Sequence, residues 1–130
     1  AALDTALAGA GERHCLVCCH HQPVDIGCAW IAPIGLRNAD ELLARLRQPR
    51  VKALLWGHIH QPWDEQRDGL RLLATPSTCI QFAPGSEEFK VSEEQPGYRW
   101  LRLHADGRLE TGVERARDFL VTLDFDSPGY

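Results

Sequence analysis

The sequence predicts an α/β fold that ends in a β-hairpin, and three observations carry that expectation. Residues 14–56 read as an apolar strand, a capped helix and a second apolar strand. Histidines follow both strands directly, His20-His21 after the first and His58 and His60 after the second. Residues 98–115 hold two strand-like runs split by Asp106-Gly107, a pair suited to a two-residue turn that needs positive φ.

The elements follow in order. Leu3 and Leu7 among alanines suggest a short helix ended by Gly9 and Gly11. HCLVCC, residues 14–19, is an uninterrupted apolar run, the pattern of a central strand buried on both faces. Residues 22–37 scatter two prolines and two glycines among apolar residues without a period, so they form a loop. NADELLARLRQ then opens on Asn38 as N-cap with Glu41 in the reciprocal capping position, and Leu42, Leu43 and Leu46 share one face. VKALLW is a second buried strand, DEQRDG a turn, and LRLLAT a third strand leading into Thr75-Pro76-Ser77-Thr78. Residues 83–97 are polar and broken by Pro and Gly, an exposed connection. After Arg117, Phe119, Leu120, Val121, Leu123 and Phe125 lie among acids and suit an extra strand or a partner-binding tail.

With 130 residues, 44% hydrophobic and 25% charged, the chain suits one globular unit with a modest core. Its net charge of −4 and lack of a basic block argue against nucleic acid as a partner. No apolar run reaches the roughly 18 residues of a spanning helix, and the N-terminus lacks the basic cluster and apolar centre of a secretory signal, so no membrane partner and a cytoplasmic setting are expected. The five cysteines are an odd number with three crowded into residues 15–19, which suggests buried reduced thiols rather than a disulfide framework. Cys15 and Cys18 have zinc-knuckle spacing, but Leu16-Val17 makes a strand rather than the turn a knuckle needs.

In an extended segment His58 and His60 project to one side and Ile59 to the other, so the two imidazoles converge. Gly57 before them lets the backbone bend sharply and approach an ion or phosphate. A strand–helix–strand unit sets parallel strand ends side by side, bringing His20 to the same rim. Neutral imidazole ligates zinc, iron, nickel and copper, and its second nitrogen is held by a neighbouring acceptor, so the two clusters together predict a metal site. His14 and His104 stand without partners in sequence and read as surface residues. Trp30, Trp63 and Trp100 read as core or loop anchors rather than a ligand-stacking set, although Trp30 and Trp63 lie in segments leading away from the histidines and could wall the site.

HHQP, LRNADELL, GHIHQ, ATPSTCIQF, PGYRWLRLHADG and Glu114-Arg115 resemble, in that order, the C-terminal half of bacterial cyclic-AMP phosphodiesterases of the calcineurin-like metallophosphoesterase superfamily. The resemblance implies a two-sheet α/β sandwich, with residues 1–117 as the C-terminal half of the metallophosphoesterase domain and 118–130 as a tail. It implies two metal ions, commonly iron with manganese, alternatively zinc or magnesium. His20 and His58 would bind one ion and His60 the other, with His60 and Asn38 also near the cyclic nucleotide, and His21 and Gly57 behind the ligands. The activity implied is opening of cyclic AMP to 5′-AMP by in-line attack of hydroxide on phosphorus.

The family's Asp-x-His, Gly-Asp-x-x-Asp and Gly-Asn-His-Asp motifs do not occur in these 130 residues. The expectation is therefore a piece that is inactive by itself, with no catalytic residue beyond the metal ligands, and that self-associates or joins a missing N-terminal half. Two other readings stay open: hydrolysis of other phosphodiesters, and a metal-free interaction or dimerisation module.

Overall fold

Two parallel pairings place both histidine segments at one end of a sheet. The computed structural model describes residues 2–119 and 122. Strand β1 (Cys15–Cys18) pairs in parallel with β2 (Val51–Trp56), and β2 pairs in parallel with β4 (Leu70–Ala74). Strand β3 (Trp63–Arg67) joins β4 antiparallel, giving the order β1-β2-β4-β3. The result is a mixed α/β arrangement with few helices, as the strand–helix–strand reading requires.

The crossover between β1 and β2 carries a 3₁₀ turn (Ala32–Ile34) and helix α2 (Ala39–Leu46). Leu43 and Leu46 of α2 and Leu7 of α1 (Ala2–Gly9) are buried in the same core as Leu54, Trp56, Ile59 and Leu72. Each such side chain contributes about 1.5–3 kcal/mol by leaving water. Arg45 of α2 joins the helices by bonding Asp4 at 2.6 Å, and it also pairs with Glu41 one turn earlier at 2.8 Å. Asn38 precedes α2 as expected, but its side chain makes no capping bond. Glu41 is drawn to Arg45 rather than back to the cap, an i,i+4 pair of the kind that stabilises exposed helix surface.

Several expectations need correction. Strand β1 is half-buried, not buried on both faces, because among the described strands it has a neighbour on one side only. DEQR is not turn but part of β3. The turn is Asp68-Gly69 alone, with φ of +49° and +81°, joining Arg67 to its partner Leu70. Asp-Gly here does what two-residue hairpins require.

Beyond β4, a short ribbon of β5 (Gln81–Phe82) and β6 (Val91–Ser92) interrupts the exposed connection. The hairpin of β7 (Gly97–Leu103) and β8 (Leu109–Arg115) forms as expected. Its turn is longer than two residues, since His104 N–H donates to Arg108 and Gly107 N–H to His104, with φ of +84° at Gly107. Arg99, its side chain only 4% exposed, ties this hairpin to the main sheet. It donates to the carbonyls of Ala74 at 2.8 Å and Trp63 at 3.0 Å and to Thr111 Oγ1 at 3.2 Å. The proposed tail strand falls at residues 120, 121 and 123–130, which lie outside the described residues. No helix among the described residues is long and apolar enough to cross a membrane.

Candidate functional site

Backbone pairing beyond the strand ends carries His20 to Gly57. Cys19 N–H donates to Leu55 at 3.0 Å, and Gly57 N–H donates to His20 at 3.2 Å, so the parallel ladder continues one step past each strand. Three imidazoles then gather. The ring centres of His20 and His58 are 5.2 Å apart, those of His21 and His58 4.5 Å, and those of His20 and His21 5.1 Å, all edge to face. His21 thus packs against both neighbours.

The route to this cluster differs from alternation along a strand. His58 and His60 both take left-handed φ, +58° and +50°. Ile59 N–H donates back to the Gly57 carbonyl at 2.6 Å, closing a three-residue turn centred on His58. Ile59 is fully buried and pins the turn to the core. The sharp bend therefore falls on the histidines and not on Gly57, whose φ is not left-handed. A Cβ at Gly57 would lie 3.7 Å from His20 Nδ1, an ordinary contact.

In consequence His58 and His60 pack against different rings, while His60 remains near enough to bear electrostatically on His58 and His20 on His60. His58 joins His20 and His21, while the His60 ring lies flat on Phe82 with centres 4.2 Å apart and planes 9° from parallel. His58 Nε2 and His60 Nδ1 are both buried without a hydrogen-bond partner. Leaving such a group unsatisfied costs about 1–3 kcal/mol. Burial holds the His58 pKa below the usual imidazole value, helped by the nearby charges of His21, His20 and His60. Burial also lowers His60, against a polar contact with the Ile80 backbone that favours the protonated ring, and the nearby charge of His20 lowers it further. Both rings are thus biased toward the neutral form that ligates metals.

The unpartnered nitrogens and the neutral bias suit His58 and His60 to metal ligation, and His20 lies beside His58. They are not a complete site. Among the described residues no three His, Cys, Asp or Glu side chains are gathered closely enough to hold an ion. Three neutral imidazoles also bring no negative charge.

The cysteines do not add to it. All five thiols are free, and only Cys28 is buried, which corrects the expectation of a buried set; Cys18 and Cys79 are exposed. Burial raises the Cys19 pKa, with Cys18 adding to it, and its Sγ donates to the His21 carbonyl. His104 is not without a partner: its Nε2 lies 2.9 Å from Glu110 Oε1. Trp30 packs edge-on against Phe82 and Phe89, and Trp63 donates to Glu65, so both are anchors as expected. Phe82 and Ile80 around His60 are the residues that pattern reading missed, because no local period links position 60 to position 82.

The chain is related to bacterial 3′,5′-cyclic-nucleotide phosphodiesterases and matches their C-terminal half. It is 57% identical over 129 residues to the 3′,5′-cyclic adenosine monophosphate phosphodiesterase CpdA of Pseudomonas aeruginosa, covering 98% of this chain and 47% of that protein. The CpdA of Escherichia coli is 50% identical over 129 residues with the same coverage. A 3′,5′-cyclic-nucleotide phosphodiesterase of Nostoc is 42% identical over 114 residues, covering 87% of this chain and 43% of that protein. The chain thus spans about half the length of these relatives. No family model matches it.

Proposed function

We propose that the protein carrying this chain hydrolyses cyclic AMP to 5′-AMP at a dinuclear metal site, and that His20, His58 and His60 are this chain's share of the ligands. The observation that carries the reading is the pair of buried, unpartnered imidazole nitrogens on His58 and His60 beside the exit of β1. His20 and His58 would hold one ion and His60 the other. His21, edge-on to His20 and His58, keeps those rings in place, and Asn38 reaches the substrate. Bound iron with manganese, or zinc or magnesium, would offset charge on the phosphoryl oxygens and lower the pKa of water. The neutral rings contribute donors without competing protons, and Ile59 beneath the turn excludes water from one side of it. Ligands of the Asp-x-His, Gly-Asp-x-x-Asp and Gly-Asn-His-Asp type, which these 130 residues lack, would complete the centre.

In this reading residues 1–117 form the C-terminal half of a two-sheet α/β sandwich of the metallophosphoesterase type, with 118–130 as a tail. The 130 residues alone bind metal weakly, turn over little and self-associate or join the other half. A metal-free interaction module is the competing reading, and the incomplete ligand set among the described residues favours it. Metal analysis and cyclic-AMP hydrolysis of the natural full-length protein, beside its His58→Ala variant, decide between them. Loss of metal and turnover in the variant is expected; equal turnover in both refutes the enzyme reading. A substrate panel ranked by kcat/KM separates cyclic AMP from other phosphodiesters.

A further inference from the structure

We propose that Phe82 is a positioning residue for His60: its flat ring holds the imidazole in the one orientation that leaves Nδ1 without a protein partner. The inference rests on the proposed metal site. The two rings are 4.2 Å apart and 9° from parallel, whereas every other aromatic contact of Phe82 is edge-on. Trp30 meets it at 82° and Phe89 at 69°, so two steeply inclined rings pack against Phe82 while His60 alone among these partners lies parallel to it.

The clamp is itself braced. Trp30 Nε1 donates to Ser86 Oγ at 3.2 Å. Next to Phe82, buried Gln81 accepts from Ser77 N–H at 3.1 Å and donates to the Ser77 carbonyl at 2.7 Å, closing the loop that delivers the ring. This support comes from 22 residues away in sequence. His60 has a left-handed φ of +50°, a conformation that L-residues seldom keep unaided; the Ile80 backbone makes a polar contact with the ring, its buried Nδ1 has no partner, and the Phe82 face adds the packing that fixes the plane. A ring held at a fixed angle can meet an ion at no ordering cost on binding.

Volume and flatness are separable by substitution. Phe82→Leu fills most of the space but offers no planar face, whereas Phe82→Tyr keeps the face. Both are made in the natural full-length protein that carries this chain. Three readouts are taken: Mn²⁺ affinity by calorimetry, the His60 ring resonances of the metal-free protein by NMR, and thermal midpoint. Phe82→Leu is expected to weaken Mn²⁺ binding roughly tenfold, the size of effect seen when a group orienting a metal-bound histidine is lost. Its His60 ring signals broaden or shift toward averaged values. Phe82→Tyr stays within about twofold in affinity with unchanged ring signals, because its stacking face is the same.

A purely space-filling role for Phe82 lowers the thermal midpoint of Phe82→Leu while leaving Mn²⁺ affinity and the His60 signals as in the parent; that result overturns the proposal. If the parent itself binds no Mn²⁺, the metal-site reading fails. The positioning claim is then decided by the metal-free His60 signals alone, and their indifference to Phe82→Leu overturns it.

Discussion

Replacing His58 by glycine and by alanine turns the backbone of the turn into a measurable sign. Both variants lose the imidazole, so their difference reports the conformation and not the ring. His58 sits at φ +58°, where a Cβ costs an L-residue roughly 1–2 kcal/mol and glycine nothing. Against this, glycine loses more chain entropy on folding, by about 0.5–1 kcal/mol. The balance favours His58→Gly over His58→Ala by about 0.8 kcal/mol, with a range of about 0–1.5 kcal/mol. At an ordinary position the sign is reversed. Ala44, exposed inside α2, supplies the control: Ala44→Gly is expected to destabilise by about 1 kcal/mol. Urea unfolding with chelator present reads both comparisons in the metal-free protein, with the m-value checked for constancy. If His58→Ala proves more stable than His58→Gly by as much as the control pair differs, the left-handed turn is not the solution conformation. The cluster of His20, His21 and His58 would then lose its structural cause.

Arg99→Met removes the donors to the Ala74 and Trp63 carbonyls and detaches the β7–β8 hairpin, so unfolding stability should fall by about 2–5 kcal/mol. A loss under about 1 kcal/mol in urea unfolding would show that the hairpin docks without it. Gly57→Ala should change stability by no more than about 0.5 kcal/mol, since the added Cβ meets His20 at 3.7 Å and no left-handed φ is involved. A thermal midpoint shift far beyond that would place the strain on Gly57 after all. The Arg71 guanidinium holds the Asp64 carboxyl below its ordinary value of 3.8, with partial burial opposing it. A depressed acid stabilises the fold above its unfolded pKa and loses that contribution as pH falls through the folded one. The stability gap between the parent and Asp64→Asn should therefore be full near neutrality and shrink below pH 3.8, a trend that acid titration of the unfolding midpoint checks.

The elements that were legible from sequence are those whose cause is local. VKALLW is a buried strand because its apolar run has no polar interruption beyond Lys52, and the β7–β8 hairpin follows from its two strand-like runs around Asp106-Gly107. The same chemistry at Asp68-Gly69 was readable, but the polar WDEQR stretch hid β3. That strand pairs with β4 and carries only half-buried and exposed side chains, so its hydrophobic signal is weak. Likewise, an apolar run marks Cys15–Cys18 as a strand without saying how many neighbours it has.

By itself the sequence determined the strand–helix–strand unit, the hairpin, and the placement of histidines immediately after two parallel strands, since all of these arise from side-chain periodicity and turn chemistry within a few residues. The relation to cyclic-nucleotide phosphodiesterases was equally present in its ordered blocks. Tertiary structure alone decided which imidazoles meet. Simple alternation would have paired His58 with His60, but the left-handed turn sends His58 to His20 and His21 and leaves His60 on Phe82. That outcome depends on backbone angles held by the buried Ile59 and on a ring delivered from a distant loop. Neither is encoded in the spacing of the histidines.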